Sequence, residues 1–222
     1  MPEQLAFPLP TKTALGRENF FVSEANQLAV ATLEDASMWP NGKLILCGPP
    51  ASGKTHLAHV WAGEAGARII SGKGLAARDI AQEAQVPLVV EDIDQLTPKD
   101  ETPLFHLHNL MLAEGHPLLM TTTRPPGQLG IVLPDLMSRL QGTTLVALDA
   151  PDDALLSVVL TKMFADRQIN LPGGLLDYIL PRIERSFAAA RRFVEEMDRR
   201  ALSEGKPIGK RLAGEILNRA PE

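Results

Sequence analysis

The chain has 222 residues, 45% of them hydrophobic and 22% charged, with a formal net charge of −5. This composition supports one sizeable core with room for a smaller module and excludes a disordered chain. The acidic balance argues against a chain whose main task is gripping nucleic acid, and a single cysteine, Cys47, excludes a disulfide framework and a zinc cluster and favours a reducing compartment. The start Met1-Pro2-Glu3-Gln4-Leu5 lacks a basic leader, and no window approaches roughly 18 apolar residues, so the expectation is a cytoplasmic protein without membrane contact.

The first ten residues, MPEQLAFPLP, hold an apolar cluster (Leu5, Phe7, Leu9) among Pro2, Pro8 and Pro10. The prolines disfavour helix and blunt strand pairing, leaving an extended arm that either docks in a partner's groove or folds back on its own domain. Next come Asn19-Phe20-Phe21-Val22 and a periodic run from Ser23 through Leu28, Val30 and Leu33, which predicts a helix capped at Ser23. The aromatic pair serves as an adenine platform, or one of its rings packs in the core. Trp39-Pro40-Asn41-Gly42 turns the chain into a strand over Lys43 to Cys47.

That strand runs directly into Gly48-Pro49-Pro50-Ala51-Ser52-Gly53-Lys54-Thr55, a G-x-x-x-x-G-K-T loop at the entry to a helical pattern. Small residues are needed here because successive backbone N–H groups must wrap phosphate oxygens. Lys54 then reaches the β- and γ-phosphates, Thr55 offers its hydroxyl to Mg²⁺, and the helix points the positive end of its dipole at the same anion. The loop predicts bound nucleotide.

After a helix ending near Gly66, Ala67 to Ser71 reads as a second strand and residues 74–84 as a weaker amphipathic helix. Pro87-Leu88-Val89-Val90 is wholly apolar, as in a strand covered on both faces of a parallel sheet, and it ends on Glu91-Asp92 with Asp94 just beyond. Acidic groups at such a strand end can hold the water shell of Mg²⁺ and orient an attacking water, whereas burying them without a cation or hydrogen-bond partners is costly. A helix over 103–114 leads to a fourth strand, Pro117 to Met120, closed by Thr121-Thr122-Thr123. Those hydroxyls reach the γ-phosphate or its water, apart from one or two that only cap backbone groups. The segment Leu133 to Leu140 carries Ser138-Arg139, and Thr143 to Leu148 gives a fifth strand before the break at Asp149-Ala150-Pro151.

From Asp152 the period is wholly helical, over about 152–168, 172–184, 187–204 and 208–219. Between Arg182 and Arg219 this module holds ten Lys/Arg against six Asp/Glu, a mixed surface of the kind that is usually solvated. Other chemistries find no support. There is no H-E-x-x-H, His106 and His108 cannot share a helix face, there is no G-x-S-x-G elbow, and Cys47 lies in a strand that would bury it.

Taken together, Asn19 to Val22, Asn26-Gln27-Leu28-Ala29, and Gly48 to Thr55 followed by His56-Leu57 resemble the AAA+ module of the bacterial replication initiator DnaA and its DnaA-related regulators, over roughly residues 14–205. The resemblance implies a five-stranded parallel αβα core over 14–151, a helical lid over 152–222, and an arm over 1–13 that binds the DNA polymerase sliding clamp through Gln4, Leu5, Phe7, Pro8 and Leu9. It implies ATP or ADP with Mg²⁺ as cofactors. The nucleotide would be held by Phe21, Val22, Gly48, Pro49, Pro50, Ala51, Ser52, Gly53, Lys54, Thr55 and His56, and the metal by Thr55, Glu91 and Asp92. Thr123 matches the first sensor and Arg139 the arginine finger, which completes a neighbour's site.

Two departures stand out. The acidic pair begins with Glu91 where the family has Asp, and an alanine falls where the family places its second-sensor arginine, leaving Arg185 or Arg191 one turn away as substitutes. Feeble hydrolysis by the chain itself is the expected consequence. The initiator's DNA-reading domain has no counterpart here, so contact with DNA is expected only through the clamp and DnaA, with a homo-oligomer possible. The expected function is a regulator that promotes hydrolysis of DnaA-bound ATP in trans. The alternatives are a stand-alone ATPase or loader acting on another replication or transcription partner, and a DNA-binding initiator variant using the basic lid.

Overall fold

The computed structural model describes residues 22–218. Five strands form one sheet: β1 Lys43–Cys47, β2 Arg68–Ser71, β3 Leu88–Glu91, β4 Leu118–Thr122 and β5 Thr144–Ala147, all parallel, in the order β2-β3-β4-β1-β5. The strands lie where the apolar runs predict them. The order has a functional consequence, since β4 stands between the strand that feeds the phosphate loop and the strand that ends on the acidic pair.

Period-two alternation divides the core between two layers. Leu44 and Leu46 of β1 pack with Leu57, Trp61 and Leu33 on one face, under α1 Gln27–Glu34 and α2 Lys54–Ala65. Ile45 faces the other way, with Leu104, Leu107, Leu136 and Leu140, under α4 Pro98–Ala113 and α5 Pro134–Gln141; α3 is the single turn Ile80–Glu83. Every residue of β1 is buried, as a central parallel strand requires. The last four helices, α6 Asp153–Ala165, α7 Leu175–Ile179, α8 Phe187–Glu204 and α9 Lys210–Leu217, enclose a core of their own around Leu160, Phe164, Phe193 and Met197. Phe164 is fully buried, and truncating such a residue to alanine costs about 3–5 kcal/mol.

Several elements depart from the expected bounds, among them the helix expected over about 172–184, of which only α7, Leu175–Ile179, forms. Helix α1 begins at Gln27, because Ser23 opens a hydrogen-bonded turn: its N–H donates to Asn26 Oδ1 at 2.9 Å and its carbonyl accepts from Asn26 and Gln27. Helix α4 begins at Pro98, five residues before the expected start. A capping box between Thr97 and Asp100 nucleates it, with Pro98 in the first turn, where a missing N–H is harmless, and this outweighs the single backbone bond lost at Pro103. The stretch 74–84 divides into a 3-10 turn, Leu75–Ala77, and α3.

Candidate nucleotide-binding site

The phosphate loop leaves the C-terminal end of β1 and is tied to both neighbours: Gly48 N–H donates to Thr122 O of β4 at 3.1 Å, and Leu148 N–H, just past β5, donates to Cys47 O at 2.7 Å. Gly48 has no room for a side chain, since a Cβ there would lie 2.4 Å from Leu148 O and 2.8 Å from Ser52 Oγ. Gly53 has φ +99°, a conformation L residues avoid, and a Cβ on it would press a ring carbon of Phe187 at 3.0 Å. Lys54 opens α2 at the loop's end.

Lys54 is 6% exposed, and its Nζ donates to the loop's own carbonyls, Gly48 O at 2.7 Å and Pro49 O at 2.8 Å. Burial lowers its pKa from the usual value, while Asp92 and then Asp94 pull it back up. Asp92 and Asp94 are thus the carboxylates whose charge Lys54 feels. Asp92 directly follows β3 in the left-handed region (φ 57°, ψ 54°), which Asp tolerates better than most residues, and its N–H donates to Thr121 Oγ1 at 3.0 Å. Thr123 Oγ1 donates to Asp94 Oδ2, and Thr122 bonds the backbone of Arg124. Of the three hydroxyls at the end of β4, therefore, two serve backbone groups and Thr123 holds an acid.

Three buried oxygens around the loop lack a hydrogen-bond partner: Ser52 Oγ, Glu91 Oε1 and Asp94 Oδ1. Stranded acceptors of this kind are costly unless a cation or water serves them, and together with the glycine cradle they fit a magnesium-bound phosphate. Among the described residues no three His, Cys, Asp or Glu side chains converge as a metal cage. Thr55, at the head of α2, is exposed. Cys47 is buried beneath the loop, and burial raises its thiol pKa, as expected for an inert cysteine.

The helical region closes on this loop through α8. Ser186 caps it by accepting from Ala189 N–H at 3.1 Å, and Phe187 N–H donates to Ala51 O of the phosphate loop at 3.2 Å. His56 feels Lys162 of α6 after the larger effect of burial, and both lower its pKa. Arg191 is exposed, one turn along α8 from Phe187, while Arg185 pairs with Asp153 at 3.1 Å. Phe187 stands at the loop although the sequence assigned it no place there; the signal available was an aromatic directly after a serine cap.

Arg139 lies elsewhere. It is exposed in the last turn of α5, its carbonyl accepts from Thr143 Oγ1 at 2.8 Å, and its charge is felt by Lys43, the first residue of β1. The sheet thus separates it from Lys54 by the length of β1, about 13 Å for four strand steps. Beside it, burial and then the charges of Lys43 and Arg139 hold the pKa of His108 down at about 4; its Nε2 meets Thr143 Oγ1 at 3.2 Å. Val22 is half exposed ahead of α1. Phe21 and the arm residues Gln4, Leu5, Phe7, Pro8 and Leu9 lie outside the described residues.

No family model matches the chain. It is similar to domain III of the Thermotoga maritima replication initiation protein DnaA, at 22% identity over 92% of this chain and 95% of that one, with a TM-score of 0.78. It is similar also to AMPPCP-bound DnaA from Aquifex aeolicus, at 22% identity over 85% of this chain and 65% of that one, TM-score 0.67. A third likeness is to the Thermotoga maritima RuvB Holliday junction branch migration motor, at 21% identity over 91% and 70%, TM-score 0.70. These likenesses carry the fold: a five-stranded parallel sheet between helices with a helical C-terminal region, as in those structures. Among the described residues no helix is long and apolar enough to cross a membrane.

Proposed function

We propose that this protein is an adenine-nucleotide-binding regulator of chromosomal replication initiation, similar to the DnaA-related regulator Hda, that docks on the sliding clamp and promotes hydrolysis of ATP held by DnaA. The observation that carries the reading is the placement of Arg139. Exposed at the far end of β1 from Lys54, it is out of reach of its own loop's phosphates and free to meet another subunit's. A cation delivered to a transferring phosphoryl group stabilises charge that develops in the transition state.

In this reading the chain's own nucleotide lies across Gly48 to Thr55, with Lys54 leaving the carbonyls of Gly48 and Pro49 for the phosphates. Thr55, Glu91 and Asp92 would hold Mg²⁺, which when bound would help to neutralise phosphate charge. Asp94, held by Thr123, orients water. With an alanine at the second-sensor position and Arg191 exposed one turn further along α8, the chain's own turnover is expected to be slow, and the nucleotide chiefly fixes α8 against the loop. Clamp docking through residues 4–9 rests on the sequence of the arm.

A reconstituted assay of DnaA-bound ATP hydrolysis, with and without DNA-loaded clamp, tests the reading. Stimulation that requires this protein, the clamp and Arg139 supports it; stimulation indifferent to Arg139→Ala overturns it. A second reading, a stand-alone ATPase acting on another partner, draws support from the likeness to the RuvB motor. Brisk turnover by the isolated protein would favour it.

A further inference from the structure

Helix α5, which carries Arg139, starts without the usual means of fixing its end. Its cap position is Leu133, whose side chain has no oxygen to offer, and its first residue, Pro134, has no N–H. The missing acceptor comes from another helix. Glu101, in the first turn of α4 and 6% exposed, accepts from Val132 N–H at 3.1 Å through each carboxylate oxygen and from Leu133 N–H at 2.7 Å through Oε2. A carboxylate at this point is also on the favourable end of the α5 dipole. Along the helix, Leu136 and Leu140 are fully buried under the sheet while Ser138 and Arg139 face solvent. Two apolar contacts fix how α5 rotates. Glu101 fixes how far it slides along its axis, and so where Arg139 stands.

We infer that Glu101 is a positioning residue for Arg139. It touches neither nucleotide site, and it acts by holding the N-terminus of α5 so that the guanidinium meets a neighbour's phosphate at the right depth. This rests on the reading of Arg139 as a finger acting in trans. Because transition-state stabilisation is steep in distance, the loss should appear in the maximal rate more than in the affinity between partners.

The test compares Glu101→Ala, Glu101→Gln, Arg139→Ala and the double variant Glu101→Ala/Arg139→Ala in the clamp-dependent assay of DnaA-bound ATP hydrolysis. Hydrogen exchange at the Val132 and Leu133 amides and titration of each variant with ADP accompany it. The expected result for Glu101→Ala is a fall of about 10- to 100-fold in maximal stimulation, with half-maximal concentration and ADP affinity within about threefold of the parent. Glu101→Gln, which keeps one acceptor oxygen, should retain an intermediate rate and intermediate amide protection, so the inference stays testable if the alanine variant folds poorly. The double variant should be no worse than Arg139→Ala alone, as two residues serving one interaction require. Full stimulation by both Glu101 variants while Arg139→Ala loses it would overturn the inference and leave the proposed function standing. An additive loss in the double variant would also overturn it, showing a purely structural role. Stimulation that survives Arg139→Ala would instead remove the reading on which the inference rests.

Discussion

The two ends of the central strand β1 are built on opposite principles. At its C-terminal end Lys54, Asp92, Asp94, Thr123 and Phe187 close on one another through contacts within the chain, and the oxygens left without partners belong to a site shaped for phosphate. At its N-terminal end three basic groups gather, Lys43 and His108 each feeling the charge of Arg139. One end gathers carboxylates and hydroxyls around a buried lysine. The other has a cation facing outward on the surface.

The sharpest way to break this contrast is to remove the outward cation. Arg139→Ala should lower stimulation of a partner's hydrolysis by about a thousandfold, the low end of what an arginine finger contributes, while the chain's own nucleotide affinity is unchanged. Parallel titrations with a fluorescent ADP analogue would show whether the two ends are separable. The converse variant, Lys54→Ala, should weaken nucleotide binding by about 10- to 100-fold, the range for one hydrogen-bonded charge. It leaves the environment of Arg139 as it is, so any loss of stimulation it causes must travel through the fold.

Phe187→Ala probes the join between the phosphate loop and the helical region. The ring packs with the helical core and against Gly53, and a half-buried aromatic of this kind is worth about 1–3 kcal/mol in a denaturant melt. A further effect belongs to pH. His108 has a folded pKa of about 4, below its unfolded value of 6.5, so between those values the unfolded chain binds the extra proton and stability falls as pH drops through the window. Asp100 adds its own loss at lower pH. Burial pushes its pKa up, but hydrogen bonds from Thr97, Ala76 and Gly74 outweigh this and bring it to about 2, so its stabilisation, full above pH 4, disappears as pH falls toward 2. Thermal melts of wild type and His108→Asn should converge near pH 4 to 5 and differ above pH 7. A wild-type advantage that does not shrink with acid would mean that His108 is charged in the folded protein.

Sequence by itself determined the phosphate loop, the five strands and the helical C-terminal module, because each is written in local patterns: glycine spacing, short apolar runs ending on acids or hydroxyls, and a change of period after Pro151. Local grammar also misplaced two helix starts. The turn at Ser23 and the capping box at Thr97 compete with hydrophobic periodicity, and Pro103 looks like a boundary although its one lost bond is affordable inside a packed helix. Tertiary structure alone decided what meets what. Only the strand order brings Thr123 to Asp94, only packing lays Phe187 on Gly53, and only the length of β1 separates Arg139 from Lys54. Those pairings join residues far apart in the chain, and their energy comes from burial between whole layers, which no short stretch of sequence contains.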